Sequence, residues 1–477
     1  MPTTRPGPAL VIGVLASCGL VVSLMQTLVI PLLPRFPGLL DASPGAVAWL
    51  VTATLVAGAV CAPVLGRLGD MYGKRRMLLA ALGLVVAGSA LGAVAPGIEV
   101  LLVARVLQGA SLGVVPLGLS IMRDELPAGR VGGGIALMSS SLGIGGALGL
   151  PLTGFVADRA DWRWLFAGAA VLAIAQILVV RRVVGESPVR SGGRFDLAGA
   201  VLLSGALVGL LLMISQGGRW GWTSPAVLAL LLGTAALFAV WTRRELTTPT
   251  PLVDLRVSAR PAVLWTNVAS ILIGFAMFAA FMLATQVLQA PAATGYGFGL
   301  GLLPAGLALL PIGAAMAVFS PVSAQLSKRW GPRATLVLGT GVLAAGNLGL
   351  ATLPGELPLV MLAATVVASG AALAYSALPL IIMAAVPPTE TGAANSLNTL
   401  MRMLGTSSCS AVVAAAATAF SLEVGGLTLP SATAYLLVFL AAAGAAAVAG
   451  VIAALTPVTP VPETAERVTA ERAPARR

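Results

Sequence analysis

Fourteen apolar stretches of helical length fill most of this chain, and basic residues are concentrated in every second gap between them. Only 9% of the 477 residues are charged, whereas 58% are hydrophobic. The hydrocarbon core of a bilayer is about 30 Å thick and needs roughly 20 apolar residues for each helical crossing. The pattern therefore predicts an all-α polytopic membrane protein with 14 transmembrane helices. The stretches lie near 9–33, 46–65, 77–97, 99–122, 133–156, 164–180, 197–215, 226–242, 262–288, 300–323, 334–354, 358–384, 394–420 and 432–455.

The distribution of lysine and arginine predicts the orientation of the chain. If the N-terminus is cytoplasmic, the cytoplasmic segments hold 22 of the 28 basic residues and the opposite segments hold four. The other two, Arg105 and Arg402, lie inside apolar stretches. Cytoplasmic loops carry the excess of basic residues in membrane proteins. We therefore expect a multi-pass protein of the inner (plasma) membrane with both termini cytoplasmic. The net charge of +11 then reflects topology and not a nucleic-acid surface.

Few residues offer metal, redox or enzyme chemistry. Histidine is absent, which removes the commonest metal ligand, and the three cysteines lie in apolar stretches without paired spacing. The first apolar stretch is too long for a cleavable signal peptide. We expect no metal, no disulfide and no cofactor, with the proton motive force as the energy source.

Two long gaps, 181–196 and 243–261, divide the helices into groups of six, two and six. This division predicts an N-terminal six-helix bundle (1–180), a linker with helices seven and eight (181–261), a C-terminal six-helix bundle (262–455) and a disordered cytoplasmic tail (456–477). The two central helices contain almost nothing polar, so we expect them to pack outside the bundles, against lipid.

Polar side chains in the outer groups predict a wet pathway between them. Such groups are costly at membrane depth and normally face a bundle interior or a cavity. None of the 17 acidic residues lies in the middle of an apolar stretch, so the deep fixed charges are positive. We expect neutral or anionic amphiphiles to be the preferred substrates. The predicted cavity residues are Gln26, Asn267, Gln286, Asn395, Asn398 and Arg402.

A faint internal repeat connects the two outer groups. The segment 66–75 follows the second apolar stretch, and 324–333 follows the second stretch of the last group. Their leucine, glycine and final arginine coincide at a constant offset, although Asp70 corresponds to Lys328. Parallel halves with a site between them are one standard plan of transporters.

These features resemble the major facilitator superfamily, specifically its fourteen-helix drug:proton antiporter branch. The segment 66–75 fits the family loop G-x-L-a-D-r-x-G-r-k. The resemblance implies a latch that holds the outward-open state, whereas the alternative is an ordinary basic loop with a helix cap. The residues that match are Gly66, Leu68, Asp70, Gly73, Lys74 and Arg75.

Two further helices carry family-like motifs. Arg105, Gln108 and Gly109 resemble the R-x-x-q-G motif, in which the arginine is tied to proton coupling; the alternative is an arginine that only cross-links helices. The fifth helix resembles the antiporter motif g-x-x-x-G-P-x-x-G-G but has Gly-Leu-Pro in place of Gly-Pro. Its small residues favour close packing and its proline permits bending. The matching positions are Gly145, Gly149, Pro151 and Gly154.

Proton exchange then needs a carboxylate near a membrane face. Asp124 and Glu125 at the cytoplasmic end of helix four are candidates, as is Glu99 at its outer end. The alternative for the Asp124–Glu125 pair is structural, namely pairing with Arg123, Arg130 or the motif loop.

The sequence favours an exporter of drug-like amphiphilic molecules in exchange for protons, working by alternating access. A proton-coupled uptake symporter for a small metabolite remains an alternative. A lipid-modifying membrane enzyme is a weaker one, because it would need a catalytic cluster at a membrane face. We expect the small-molecule substrate, protons and the bilayer as partners, no nucleic acid, and a monomer.

Overall fold

The computed structural model describes residues 7–33, 35–157, 159–352, 355–424 and 427–457. The predicted disordered tail, 456–477, therefore lies outside the described residues except for its first two. The helices are α1 (Pro8–Thr27), α2 (Phe36–Leu40), α3 (Pro44–Tyr72), α4 (Lys74–Ala93), α5 (Ile98–Gly109), α6 (Val114–Glu125), α7 (Ala128–Ala157), α8 (Arg163–Val183), α9 (Leu197–Trp220), α10 (Pro225–Thr247), α11 (Leu255–Ser258), α12 (Pro261–Gln289), α13 (Leu302–Ala308), α14 (Leu310–Ala351), α15 (Leu357–Ala385), α16 (Thr391–Ala419) and α17 (Ala432–Leu455). Short 3₁₀ segments are Ile30–Leu32, Ala110–Gly113, Ala292–Thr294 and Pro388–Glu390.

The described part of the chain has 13 helices long and apolar enough to cross a bilayer, one fewer than predicted. One of these candidate spans runs through α13 and α14 together, Leu302–Ala351, and has 50 residues. At about 1.5 Å per residue it is more than twice as long as one crossing requires. Gly331 interrupts it with φ 84° and ψ 156°, which is not helical backbone. The count of 14 is thus not confirmed as separate helices, although this long span covers most of two predicted stretches, 300–323 and 334–354. The chain is a multi-pass membrane protein.

The structure corrects one local expectation and adds one element that the sequence analysis did not predict. The motif segment was expected to be a loop after helix two, but Gly66 to Asp70 lie in the last turns of α3, which continues to Tyr72. Charged residues can stay helical there because Asp70 and Lys74 are buried and paired with each other. A β-hairpin was not predicted: β1 (Ser421–Val424) pairs with β2 (Leu427–Pro430) in antiparallel register between α16 and α17.

The long helices pack in two groups. Helices α1 and α3 to α8 contact one another, and α12 to α17 form the second group. We call these groups the N-half and the C-half. The halves meet along α3 against α16 and along α7 against α13, α14 and α15. The predicted boundaries at 180 and 261 stay a prediction.

The central pair, α9 and α10, lies against the seam between the halves. Leu203 and Leu207 of α9 belong to a buried apolar cluster that also contains Ala59 of α3 and Leu400 of α16. Helix α9 therefore contacts both halves at once. At its start, Asp196 accepts hydrogen bonds from Arg244 of α10, at 2.7 Å in the shortest. Burial alone would raise the pKa of Asp196, but the bonds from Arg244 and a backbone amide bring that pKa below its ordinary value.

Candidate functional site

The first candidate site lies on the membrane side where the basic gaps fall, which we call the basic face. There Asp70, near the end of α3, accepts hydrogen bonds from the amides of Gly392 at 3.1 Å and Ala393 at 2.8 Å. These are among the first amides of α16, which have no acceptor within the helix and carry its positive dipole end. A buried carboxylate of the N-half thus caps a helix of the C-half.

A buried chain of charges supports Asp70. Lys74 is fully buried, with its Nζ 2.6 Å from Asp124 Oδ2 and 3.6 Å from Asp70 Oδ1. Asp124 also accepts a hydrogen bond from Ser187 Oγ. Buried charges are tolerated only when they are paired and hydrogen-bonded, as they are here. The structure thus places Asp124 in an ion pair with the motif segment, the structural alternative considered above.

Arg123 forms a second connection between the halves. Its guanidinium donates to Thr391 Oγ1 at 2.8 Å and to the carbonyl of Val386 at 3.3 Å. Both acceptors belong to the C-half, between the end of α15 and the start of α16. We call Asp70, Lys74, Arg123 and Asp124, with the start of α16, the inter-half latch.

Close backbone approach at the latch depends on glycine. A Cβ at Gly66 would lie 2.7 Å from the carbonyl oxygen of Gly392, and one at Gly392 would lie 2.7 Å from Asp70 Oδ1. Gly73 has φ 120°, which an L side chain rarely adopts, and it permits the turn from α3 into α4.

Two further residues of the motif lie beside the latch. Leu68 is half-buried, and Arg75 donates through its guanidinium to the carbonyl of Arg181.

The linker after α8 is tied to the same turn, which sequence reasoning missed. Glu186 accepts hydrogen bonds from the amides of Arg75 at 3.1 Å and Arg76 at 3.3 Å. Glu125 lies beside Gly185 of this linker. Isolated polar residues in a loop have neither periodicity nor a motif, so only the tertiary structure reveals the contact.

Arg105 lies deep in the N-half and is 2% exposed. Its Nε donates to the carbonyl of Leu50 at 3.2 Å, and one terminal nitrogen donates to Gln108 Oε1 at 2.8 Å and to the carbonyl of Met25 at 3.4 Å. Gln108 in turn donates to Ser89. The arginine therefore joins α1, α3 and α5, and no carboxylate in the described part of the chain pairs with it. Gly109 permits the close contact of α5 with α3.

The glycines of α7 pack this helix against both halves. A Cβ at Gly145 or Gly149 would clash with α1, and a Cβ at Gly154 would lie 3.2 Å from Leu303 of α13. The backbone of Pro151 approaches Gly306 of α13 in the same way. The helix continues through Pro151 to Ala157 without a break.

The predicted cavity residues of the C-half fall into one cluster and one outlier. Asn398 on α16 donates to Asn267 Oδ1 at 3.0 Å and to Ser270 Oγ at 2.6 Å, both on α12. Asn395 donates to the carbonyl of Thr391, whereas its Oδ1 is buried without a partner among the described residues. The outlier is Gln286, which accepts from Tyr435 of α17 at 3.3 Å.

Arg402 extends this cluster along α16. Its guanidinium donates to Thr399 Oγ1 at 3.2 Å and lies 4.9 Å from the ring centroid of Tyr375 on α15. No carboxylate pairs with this cation in the described residues, whereas an aromatic ring face does contact it. Gln26 is half-buried on α1, in the other half. The predicted cavity residues therefore do not all meet. Asn267 of α12 and Asn398 of α16 are hydrogen-bonded to each other, whereas Gln286, also on α12, bonds to Tyr435 of α17.

Comparison with known proteins decides the family. The sequence model that describes the Major Facilitator Superfamily matches residues 15–196 and 192–410 of this chain. The chain belongs to the major facilitator superfamily. It is a membrane transporter and not an enzyme, as the sequence predicted, and proteins of this family bind small-molecule substrates.

Curated relatives include drug-resistance proteins. The chain is 28% identical over 362 residues to the tetracenomycin C resistance and export protein of Streptomyces glaucescens, covering 74% of this chain and 64% of that protein. It is 28% identical over 365 residues to the multidrug resistance protein Stp of Mycobacterium tuberculosis, covering 75% and 66%. It is 25% identical to the uncharacterized MFS-type transporter YvkA of Bacillus subtilis, covering 86% and 91%. The chain thus spans slightly less than two thirds of both resistance proteins.

Solved structures show the same fold. The human organic anion transporter MFSD10 superposes with a TM-score of 0.66 at 18% identity, over 94% of this chain and all of that chain. The proton:xylose symporter XylE superposes with a TM-score of 0.65 at 13% identity, over 94% and 96%. At these identities the likeness concerns architecture alone.

Proposed function

We propose that this chain is a secondary active transporter that exports drug-like amphiphilic molecules in exchange for protons by alternating access. The observation that carries the proposal is the inter-half latch. Besides the packing of α3 on α16 and of α7 on α13 to α15, it joins the two groups of helices through charged and polar contacts at one face. Breaking it would therefore favour opening of that face. We take the basic face to be cytoplasmic, as the arginine count predicts, which makes the latched form closed to the cytoplasm. The resistance and export functions named for two relatives support an efflux role.

The transport direction can be tested in proteoliposomes. Purified protein is reconstituted, a pH gradient of either sign is imposed, and the accumulation of fluorescent amphiphiles is followed. We expect substrate to move against the proton flow and no transport without a gradient. Movement with the protons would establish a symporter and would contradict the proposal.

Arg402 supports neutral or anionic substrates. It is a deep cation contacted by an aromatic ring and one hydroxyl, so an anionic group could pair with it without displacing a protein carboxylate. Lipophilic cations would meet an uncompensated positive charge at that position.

Replacing Arg402 with glutamine should lower the transport of anionic amphiphiles by about tenfold, because one charge-assisted hydrogen bond contributes about 1.5–3 kcal/mol. Transport of a neutral analogue of the same shape should change little. The two substrates are compared in the same vesicles, with Arg329→Gln, an exposed arginine, as the control. Equal losses for both substrates, or strong transport of permanent quaternary cations, would contradict the charge preference.

For proton coupling we propose Asp124, with Glu125 beside it and Arg105 in the same half. Protonation of Asp124 would remove its ion pair with Lys74 and weaken the latch, so proton binding and opening of the basic face would be linked. Separate replacement of Asp124, Glu125 and Glu99 by their amides should leave at least one variant that no longer responds to the pH gradient. Full proton-driven transport by all three would show the assignment to be wrong.

A further inference from the structure

An open groove lies at the basic face of the C-half. It has a volume of about 720 Å³ where the ends of α12, α15 and α17 meet the second segment of α14. Its walls are mostly alanine, leucine, valine and isoleucine, with Trp265 and Trp330 at the edge, 44% and 63% exposed. Arg333 is the one charged residue among those lining it, and none of them is acidic.

The internal repeat shows what an equivalent corner binds in the N-half. Gly73, Arg75 and Arg76 correspond to Gly331, Arg333 and Ala334, and both glycines have positive φ, 120° and 84°. In the N-half the carboxylate of Glu186 accepts hydrogen bonds from the two amides that follow the glycine turn. One half therefore holds an anionic group at this corner.

The C-half supplies no such group from its own described residues. No side chain there accepts a hydrogen bond from the amides of Arg333 or Ala334, and no carboxylate pairs with the Arg333 guanidinium. The one hydrogen bond of that guanidinium within the described chain runs from Nε to the carbonyl of Ala453, at 3.0 Å. Within the described chain, the terminal nitrogens of Arg333 have no acceptor, which suits them to an external one.

We propose that this groove binds an anionic phospholipid, with its phosphate at Arg333 in the place that Glu186 takes in the N-half. The two tryptophans favour the headgroup level of a bilayer, and the apolar wall suits the upper acyl chains. Anionic lipids are enriched in the cytoplasmic leaflet, and arginine binds phosphate through paired hydrogen bonds. The proposal concerns a lipid site and does not depend on what the protein transports.

Tryptophan quenching tests the site directly. The full-length protein is placed in phosphatidylcholine nanodiscs that contain a small fraction of brominated phosphatidylglycerol or, separately, brominated phosphatidylcholine. We expect brominated phosphatidylglycerol to quench tryptophan fluorescence more than brominated phosphatidylcholine does at equal mole fraction. This excess should disappear when Trp265 and Trp330 are both replaced by phenylalanine.

Arg333→Gln should weaken the apparent affinity for phosphatidylglycerol about tenfold, as expected for loss of one charged hydrogen bond. Arg329→Gln, an exposed arginine one turn earlier, is the matched control and should behave as the native protein does.

A second variant separates binding from folding. Ala384→Phe fills the groove but keeps Arg333, so it should also reduce the preferential quenching while thermal unfolding stays close to native. The proposal is overturned if phosphatidylglycerol and phosphatidylcholine quench the native protein equally. It is also overturned if Arg333→Gln and Arg329→Gln give the same affinity, or if the excess quenching by brominated phosphatidylglycerol survives without Trp265 and Trp330.

Discussion

Replacing Asp70 with asparagine should open the basic face and reduce transport by about tenfold or more. The carboxylate accepts two backbone hydrogen bonds across the halves, and hydrogen bonds to a charged group contribute about 1.5–3 kcal/mol. An amide would keep one acceptor oxygen and place an NH₂ group against a second donor. The latched form would then lose its advantage over the open one, and the cycle would stall with the face open.

Electron–electron distance measurements follow the opening independently of transport. Spin labels on cysteines introduced at the exposed positions Arg130 of the N-half and Lys328 of the C-half report the separation of the halves. Asp254→Asn is the control, because Asp254 caps the first amides of α11 within a short segment next to the C-half and does not bridge the halves. Should Asp70→Asn and Asp254→Asn give the same distance distribution, the latch would not hold the halves together.

Replacing Lys74 with methionine should have the largest effect on stability. The change leaves Asp124 buried opposite Asp70 without the cation between them, and breaking a buried ion pair costs about 3–5 kcal/mol. We expect the free energy of unfolding in detergent to fall by roughly this amount, with a matching loss of folded protein in the membrane. Equilibrium unfolding monitored by circular dichroism gives the difference.

The companion variants identify the cause. Lys74→Met combined with Asp124→Asn removes one buried charge pair as a whole, which is often close to neutral. It should recover about half of the loss, because Asp70 still lacks the cation of Lys74. Arg76→Met is the surface control: Arg76 is 67% exposed, 3.9 Å from Glu186, and its removal should cost less than about 1 kcal/mol. Equal costs for Lys74→Met and Arg76→Met would rule out a buried charge cluster.

Several contacts could be predicted only as alternatives. For the segment around Asp70 the sequence left open a latch or an ordinary loop with a helix cap. Asp70 does cap a helix, but the amide of Gly392 that it accepts from lies 322 positions further along the chain, in the other half. The choice between a coupling acid and an ion pair for Asp124 was also open, and its pairing with Lys74 becomes visible only in the fold. Gln286 and Asn267 are both polar residues within the same apolar stretch, so the sequence predicted one site for both. In the structure Asn267 bonds to Asn398 of α16, whereas Gln286 bonds to Tyr435 of α17.

The sequence by itself determined that the chain spans a membrane many times and where most helices lie. This was possible because each span must satisfy the bilayer on its own, and its composition records this. The motif segment was predicted separately, from its resemblance to the family loop. The contacts between helices were decided by the tertiary structure. Helices that are apolar nearly all round, such as α9, carry no stripe that marks the facing side, and lipid tails are as apolar as leucine. Pairings such as Asp70 with the start of α16, or Glu186 with the turn at Gly73, depend on which small residues let two backbones approach, and that is a property of the assembled bundle.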